Sequence, residues 1–296
     1  MGATWNRLGG LTALAMVGLG AQPGHPLGLK GDPLSAAAAQ AANLSLLEFE
    51  LFEHYQIVAR GAMGPLERLK FLIDTGSNPT VVDRRLAKKL SGSVQGRDSV
   101  AFGQKSQILT TVVPDIRLGP IRVQALTVGV GDLSFLHGVD AIVGLDVLSR
   151  ASFSIDYQAR RLLFGPVAAR QPSVQLEVTP PFLTIQIALA GQQFRLIVDT
   201  GSRRLVLFER RVHDRLPSLP THGALLLYHM SGTSRLNRVL LWHLDVGGWT
   251  MDRVEGFISD APLDGYPAGI DGVLGLRVLA SKRADFDFER SRLAFD

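Results

Sequence analysis

A repeated heptapeptide limits what this chain can fold into more than any other feature. Phe71-Leu72-Ile73-Asp74-Thr75-Gly76-Ser77 recurs as Leu196-Ile197-Val198-Asp199-Thr200-Gly201-Ser202. Each copy is an apolar run, read as a buried strand, that ends on an aspartate and a turn of small residues. Burying a carboxylate there is costly unless it is hydrogen-bonded or functional. Two such carboxylates in two copies of one motif predict a paired-carboxylate site on an approximate two-fold axis.

The flanks repeat with the motif. Asp74 and Asp199 are 125 positions apart, and the helix-forming stretches Asp83–Leu90 and Glu209–Leu216 are 126 apart. Ile116–Gly119 and Leu244–Gly247 are separated by 128, and Gly103 and Gly232, at hairpin-like tips, by 129. Val143-Gly144-Leu145 and Leu274-Gly275-Leu276 are separated by 131, as are the closing hairpins Ile155–Phe164 and Phe286–Phe295. A drift of this kind is what a duplicated domain with small insertions shows, and a chance tetrapeptide repeat would not carry its flanks. The turn-rich stretch from Gly165 to Ser173 is the expected boundary. The expected division is an apolar segment at 1–21, a linker rich in Ala, Gly and Pro at 22–49, an N-terminal lobe at 50–168 and a C-terminal lobe at 172–296.

Composition narrows the function. With 31 Gly, 15 Pro and no long heptad pattern, the chain is expected to be all-β with short helices only. A net charge of +4 on scattered residues gives no nucleic-acid footprint. The chain has no cysteine, which excludes disulfides and thiol catalysis. Its seven histidines show no metal-ligand spacing, so neither metal nor cofactor is expected. At the N-terminus Arg7 precedes a 14-residue apolar stretch, Leu8–Ala21, short of the ~20 residues of a membrane span. This is the pattern of a secretory signal, with Gly18-Leu19-Gly20 and Ala39-Gln40-Ala41 as cleavage candidates. Export to the periplasm or beyond is expected, with an uncleaved N-terminal anchor as the alternative.

Two carboxylates face to face cannot both ionise, so they share a proton. The ionised member can take a proton from water while the protonated member donates to a carbonyl oxygen. Gly76 and Gly201 would let backbone N–H groups approach the carboxylates. Thr75 and Thr200 would hydrogen-bond across the axis. Ser77 and Ser202 are expected to donate to the outer carboxylate oxygens, favouring ionisation and an acidic working range.

Asp-Thr-Gly-Ser in duplicate resembles the aspartic proteases, with pepsin-like or retropepsin-like lobes fused in one chain. That family places two apolar residues and a glycine after each motif. Here they are Ile142-Val143-Gly144, ending 70 residues after Asp74, and Val273-Leu274-Gly275, ending 76 after Asp199. The resemblance implies acid-protease-type β-barrel lobes related by a pseudo two-fold, with Asp74 and Asp199 catalytic. Each apolar-apolar-Gly segment would brace its own catalytic turn, and the closing hairpins would join the lobes. It also implies an extended polypeptide as substrate. One chain supplies both aspartates, so a monomer is expected. The lobes are shorter than pepsin's. The hairpin that closes over substrate in the family would have its tip at Phe102 and Gly103 in the first lobe and around Tyr228 and Gly232 in the second. A peptide-binding protein of the same fold without turnover is the alternative.

Other residues have blander readings. Asp156 and Asp287 read as hairpin residues, Asp146 as a helix cap, and Trp242 and Trp249 as packing. Arg203-Arg204 and Arg210-Arg211 admit an acidic-substrate patch, but the recurrence of the latter pair as Arg84-Arg85 makes a helix face the simpler account.

Overall fold

The structure is a computed structural model describing residues 12–13, 17–19, 45–90, 95–101, 104–216, 219–229, 232–263, 265–280 and 282–296. Strands dominate the described residues, and the α-helices among them are short: Arg84–Leu90, Leu145–Leu148 and Glu209–Val212. No helix among them is long and apolar enough to cross a membrane.

The two lobes are built alike. In the first, Gln56–Met63 runs antiparallel to Leu66–Ile73, which lies parallel to Ala141–Val143. Ala141–Val143 is flanked on its other side by Val81–Asp83, which pairs in parallel with Ile121–Gly131. In the second lobe Phe182–Leu189 and Gln192–Asp199 form the same hairpin, with Gly272–Gly275 parallel to the latter. Leu205–Phe208 then bridges Gly272–Gly275 and Trp249–Ser259. The parallel strand leading into each Asp-Thr-Gly-Ser turn is buried on both faces. Phe71 and Ile73 enter the main core, while Leu72 enters a second cluster with Val58, Val81 and Ile142. Leu196 and Val198 repeat the first face, and Ile197 the second with Val206 and Val273. Alternation of side chains across a strand covered on both sides is why these runs are continuously apolar.

A shared sheet joins the lobes. Its strands run in the order Ser173–Gln175, Arg292–Phe295, Arg283–Asp287, Phe153–Asp156, Arg161–Phe164 and Ser45–Phe52. The two closing hairpins meet at its centre, where Phe153 pairs with Phe286 and their rings stack at 4.9 Å. Trp249 adds an edge contact to Phe295 at 5.9 Å. Asp156 and Asp287 cap the hairpin turns by accepting the Ala159 and Arg290 N–H groups at 2.7 and 2.9 Å. The strand Ser45–Phe52 takes in the last residues of the segment expected as linker, because its backbone pairs with Arg161–Phe164 and Gln56–Met63.

Each lobe also carries a long hairpin. Gln95–Ala101 pairs with Gln104–Leu118, and Thr221–His229 with Gly232–Val246. The innermost pairs are Ala101 with Gln104 and His229 with Gly232. Gly232 therefore corresponds to Gln104, an offset of 232 − 104 = 128, not to Gly103 as the sequence suggested. The drift then runs in order. Tyr228 sits in the strand opposite Thr233, while Phe102 and Gly103 lie outside the described residues. Two short N-terminal strands, Thr12–Ala13 and Val17–Leu19, add to the edges of Thr221–His229 and Gln95–Ala101.

Phe153 is fully buried at the junction of the lobes. Phe153→Ala leaves a cavity there, and chemical denaturation should show a loss of roughly 3–5 kcal/mol.

Candidate active site

The two Asp-Thr-Gly-Ser turns meet where the lobes touch. The Thr75 N–H donates to Thr200 Oγ1 at 3.0 Å, and the Thr200 N–H to Thr75 Oγ1 at 3.1 Å. The Thr75 hydroxyl donates to the Val198 carbonyl at 2.8 Å and the Thr200 hydroxyl to that of Ile73 at 2.7 Å. Both threonines are fully buried, so every polar atom in this cross-lobe set is paired within it.

Each carboxylate is held within its own turn, and the two turns match. Asp74 Oδ1 accepts the Gly76 N–H at 2.8 Å, and Asp199 Oδ1 accepts the Gly201 N–H at 2.7 Å. Each glycine faces the other lobe's carboxylate. A Cβ on Gly76 would lie 2.7 Å from Asp199 Cγ, and one on Gly201 would lie 2.8 Å from Asp74 Oδ2. Only a residue without a side chain lets the carboxylates come this close.

The electrostatics follow from burial. Desolvation raises Asp74 well above the usual carboxylate range, and the charge of Asp199 beside it raises it further. Desolvation also raises Asp199, from 3.8 to about 6. The pair titrates as a unit and holds a proton to higher pH than an isolated carboxylate does. The Oδ2 atoms of both residues are buried without a hydrogen-bond partner among the described residues. Ser77 and Ser202 do not supply the expected outer hydrogen bonds. Ser77 Oγ donates to the Pro79 carbonyl at 3.0 Å, and Ser202 Oγ accepts the Arg204 N–H at 3.2 Å. The serine hydroxyls shape the turns, and without their donation burial sets the titration. This moves the expected working range upward from the acidic one.

Behind the turns lie the apolar-apolar-Gly segments. The Asp74 N–H donates to the Val143 carbonyl at 3.0 Å, and the Leu145 N–H to that of Ser77 at 2.9 Å. In the second lobe Gly275 N–H donates to the Arg204 carbonyl at 2.8 Å. Ile142, Val143, Val273 and Leu274 are fully buried beside the floor strands. A Cβ on Gly144 would meet the Ser77 carbonyl at 2.4 Å, and one on Gly275 would meet the Arg204 nitrogen at 2.4 Å.

Several neighbours were not singled out from sequence. Thr80 Oγ1 donates to Asp146 at 2.6 Å and accepts the Gly144 N–H at 3.0 Å, tying the first turn to its brace. Asp146 is thus a strut rather than a helix cap. Gln56 Nε2 donates across the lobes to the Gly201 carbonyl at 3.2 Å. Tyr55, beside it, feels the charge of Asp199, and so does the buried Tyr266. None of these residues belongs to a local motif, so only the three-dimensional arrangement reveals them. Among the described residues no group of three or more acidic or histidine side chains could hold a metal ion.

Two like β-lobes, with one carboxylate from each meeting in a buried pair, define an acid-protease-type architecture. The aspartyl protease family model matches residues 60–147 and 185–278, one copy per lobe, and the chain belongs to that family. No curated protein matches the chain.

Two measurements check this geometry. Gly76→Ala forces Asp199 to move, and its peptidase activity should fall by at least about 100-fold, the scale of a ~1 Å misplacement, with folding retained by circular dichroism. The raised pKa values also set the sign of a stability change. A carboxyl whose folded pKa lies above its unfolded one stabilises fully below the unfolded value, and that stability is lost as pH rises through the folded value. Between 3.8 and about 6 the wild type should therefore lose stability on this account. Urea midpoints should show Asp199→Asn gaining on the wild type across that window.

Proposed function

We propose that the protein is an aspartic endopeptidase that hydrolyses peptide bonds with water activated between Asp74 and Asp199. The observation carrying this reading is the arrangement of the pair itself. Each carboxylate is pinned through Oδ1 by its own glycine N–H, while Oδ2 of each is left unpaired. Two acceptors with one proton between them suit a water and a carbonyl oxygen.

In the reaction, the ionised carboxylate takes a proton as the water oxygen bonds to the scissile carbonyl carbon. The protonated partner donates its proton to the carbonyl oxygen, giving a neutral gem-diol. Proton transfer to the amide nitrogen then accompanies C–N cleavage, releasing an amine and a carboxylic acid. The peptide binds extended. Supporting this, the outer strands of both long hairpins already accept short added strands from the N-terminal segment, so their edges are competent for strand addition.

Asp74→Asn and Asp199→Asn should each abolish hydrolysis of an unfolded protein substrate between pH 4 and 8. Activity persisting in either would sink the mechanism. Peptide binding without cleavage by the wild type would favour a binding protein of this fold. In the wild type, kcat/KM should rise with pH through about 6 as the pair loses its first proton. We also propose that the chain is exported by its N-terminal apolar segment. Mass spectrometry of exported material should find a new N-terminus, and an intact Met1 would refute cleavage.

A further inference from the structure

The lobes part in chemistry at the residue that follows each catalytic turn. Four positions after Asp74 is Asn78, and four positions after Asp199 is Arg203. Asn78 Nδ2 donates to the Pro181 carbonyl at 3.0 Å, across the lobe boundary. Arg203 also reaches across, to lie over the Tyr55 ring with its guanidinium carbon 5.3 Å from the centroid. Tyr55 and Pro181 are themselves counterparts, each the last residue of the turn before a lobe's first floor strand. One flank of the site therefore carries a neutral amide tied to backbone. The other carries an exposed cation stacked on an aromatic ring.

That cation has no acidic partner within ion-pair distance among the described residues. Glu53 is near enough to be felt by Tyr55 but makes no ion pair with Arg203. The next residue strengthens the contrast. Arg204 lies over Phe257 at 4.6 Å, 3.7 Å from Glu255, which Arg238 also approaches at 3.5 Å. Its counterpart in the first lobe is Pro79. Arg204 and Arg238 thus both approach Glu255 on this flank while Arg203 beside them makes no ion pair among the described residues, and on the other flank Asn78-Pro79 carries no charge. Stacking on Tyr55 orders the Arg203 side chain in advance, which lowers the entropy cost of pairing it.

We infer that the Arg203 flank is a specificity subsite for an acidic side chain, so that the preferred substrate carries Asp or Glu on one side of the scissile bond. This rests on the peptidase reading above and adds the substrate class to it. No such preference exists on the opposite side.

The test uses the full-length protein and a set of quenched fluorescent peptides with Glu or Gln at each position flanking a common cleavage site. At one position on one side, Glu should exceed Gln in kcat/KM by about tenfold, less at high salt. Arg203→Glu should invert that ratio, and Arg203→Lys should keep its sign. A misfolded variant would lose both substrates together and would not invert the ratio. A Glu:Gln ratio near one at every position, or a Glu preference unchanged in Arg203→Glu, overturns the proposal. If the wild type cleaves none of the peptides, the peptidase reading has failed, and fluorescence anisotropy of the same peptides decides the subsite separately. Tighter binding of the Glu peptide, reversed by Arg203→Glu, supports it. Equal binding of the pair, or none, overturns it.

Discussion

The reciprocal hydrogen bonds of Thr75 and Thr200 are the constraint on which the site depends. Each hydroxyl accepts an N–H from the other turn and donates to a strand carbonyl of the other lobe. Four bonds of about 1 kcal/mol each do not hold two lobes together. The shared sheet and its aromatic centre supply that adhesion. What the threonines supply is registration. A fully paired buried network tolerates one geometry, because any displacement leaves a buried donor or acceptor unsatisfied at about 1–3 kcal/mol. That fixes the separation of the aspartates, which sit one residue before the threonines.

The same registration makes the electrostatic cost unavoidable. Burial raises the proton affinity of both carboxylates, the charge of Asp199 raises that of Asp74 further, and each receives a glycine N–H as partial compensation. Outside the pair itself the Oδ2 atoms have no partner among the described residues, a destabilising feature that folding alone would not retain. Both faces of each floor strand are buried, so the surrounding apolar core can offset that cost. Gly144 and Gly275 press against the backs of the turns and leave them no room to relax.

Much of this was legible in the sequence because it depends on local pattern. The apolar runs, the duplicated motif, the bracing glycines and the closing hairpins are all written in neighbouring residues. The failures share a physical cause. Ser77 and Ser202 were given roles from residue type alone, but hydroxyl direction depends on the turn's path, which takes Ser77 toward Pro79. Asp146 looked like a local cap because its partner, Thr80, is 66 residues away. Trp242 was expected to pack, yet it is 48% exposed, with Arg253 over its ring. The tip correspondence slipped by one because glycine was matched to glycine, whereas strand register places Gly232 opposite His229.

Symmetry in this molecule extends only as far as the chemistry requires it. A proton-sharing pair needs two equivalent carboxylates, so residues from the floor strands through the glycines must match across the axis. A peptide has a direction, and the walls that receive it gain nothing from matching. The first departures appear where that argument places them. Thr80 and Asp146 strut the first turn, while their counterparts in the second lobe are Leu205 and Arg277, the latter lying over Tyr157 at 4.3 Å. Asn78 and Arg203 then part in charge. A homodimer of one lobe would have to present the same residue on both flanks, cation or amide. Fusing the copies in one chain removes that restriction while the threonine network preserves the pair, so the two flanks are free to differ.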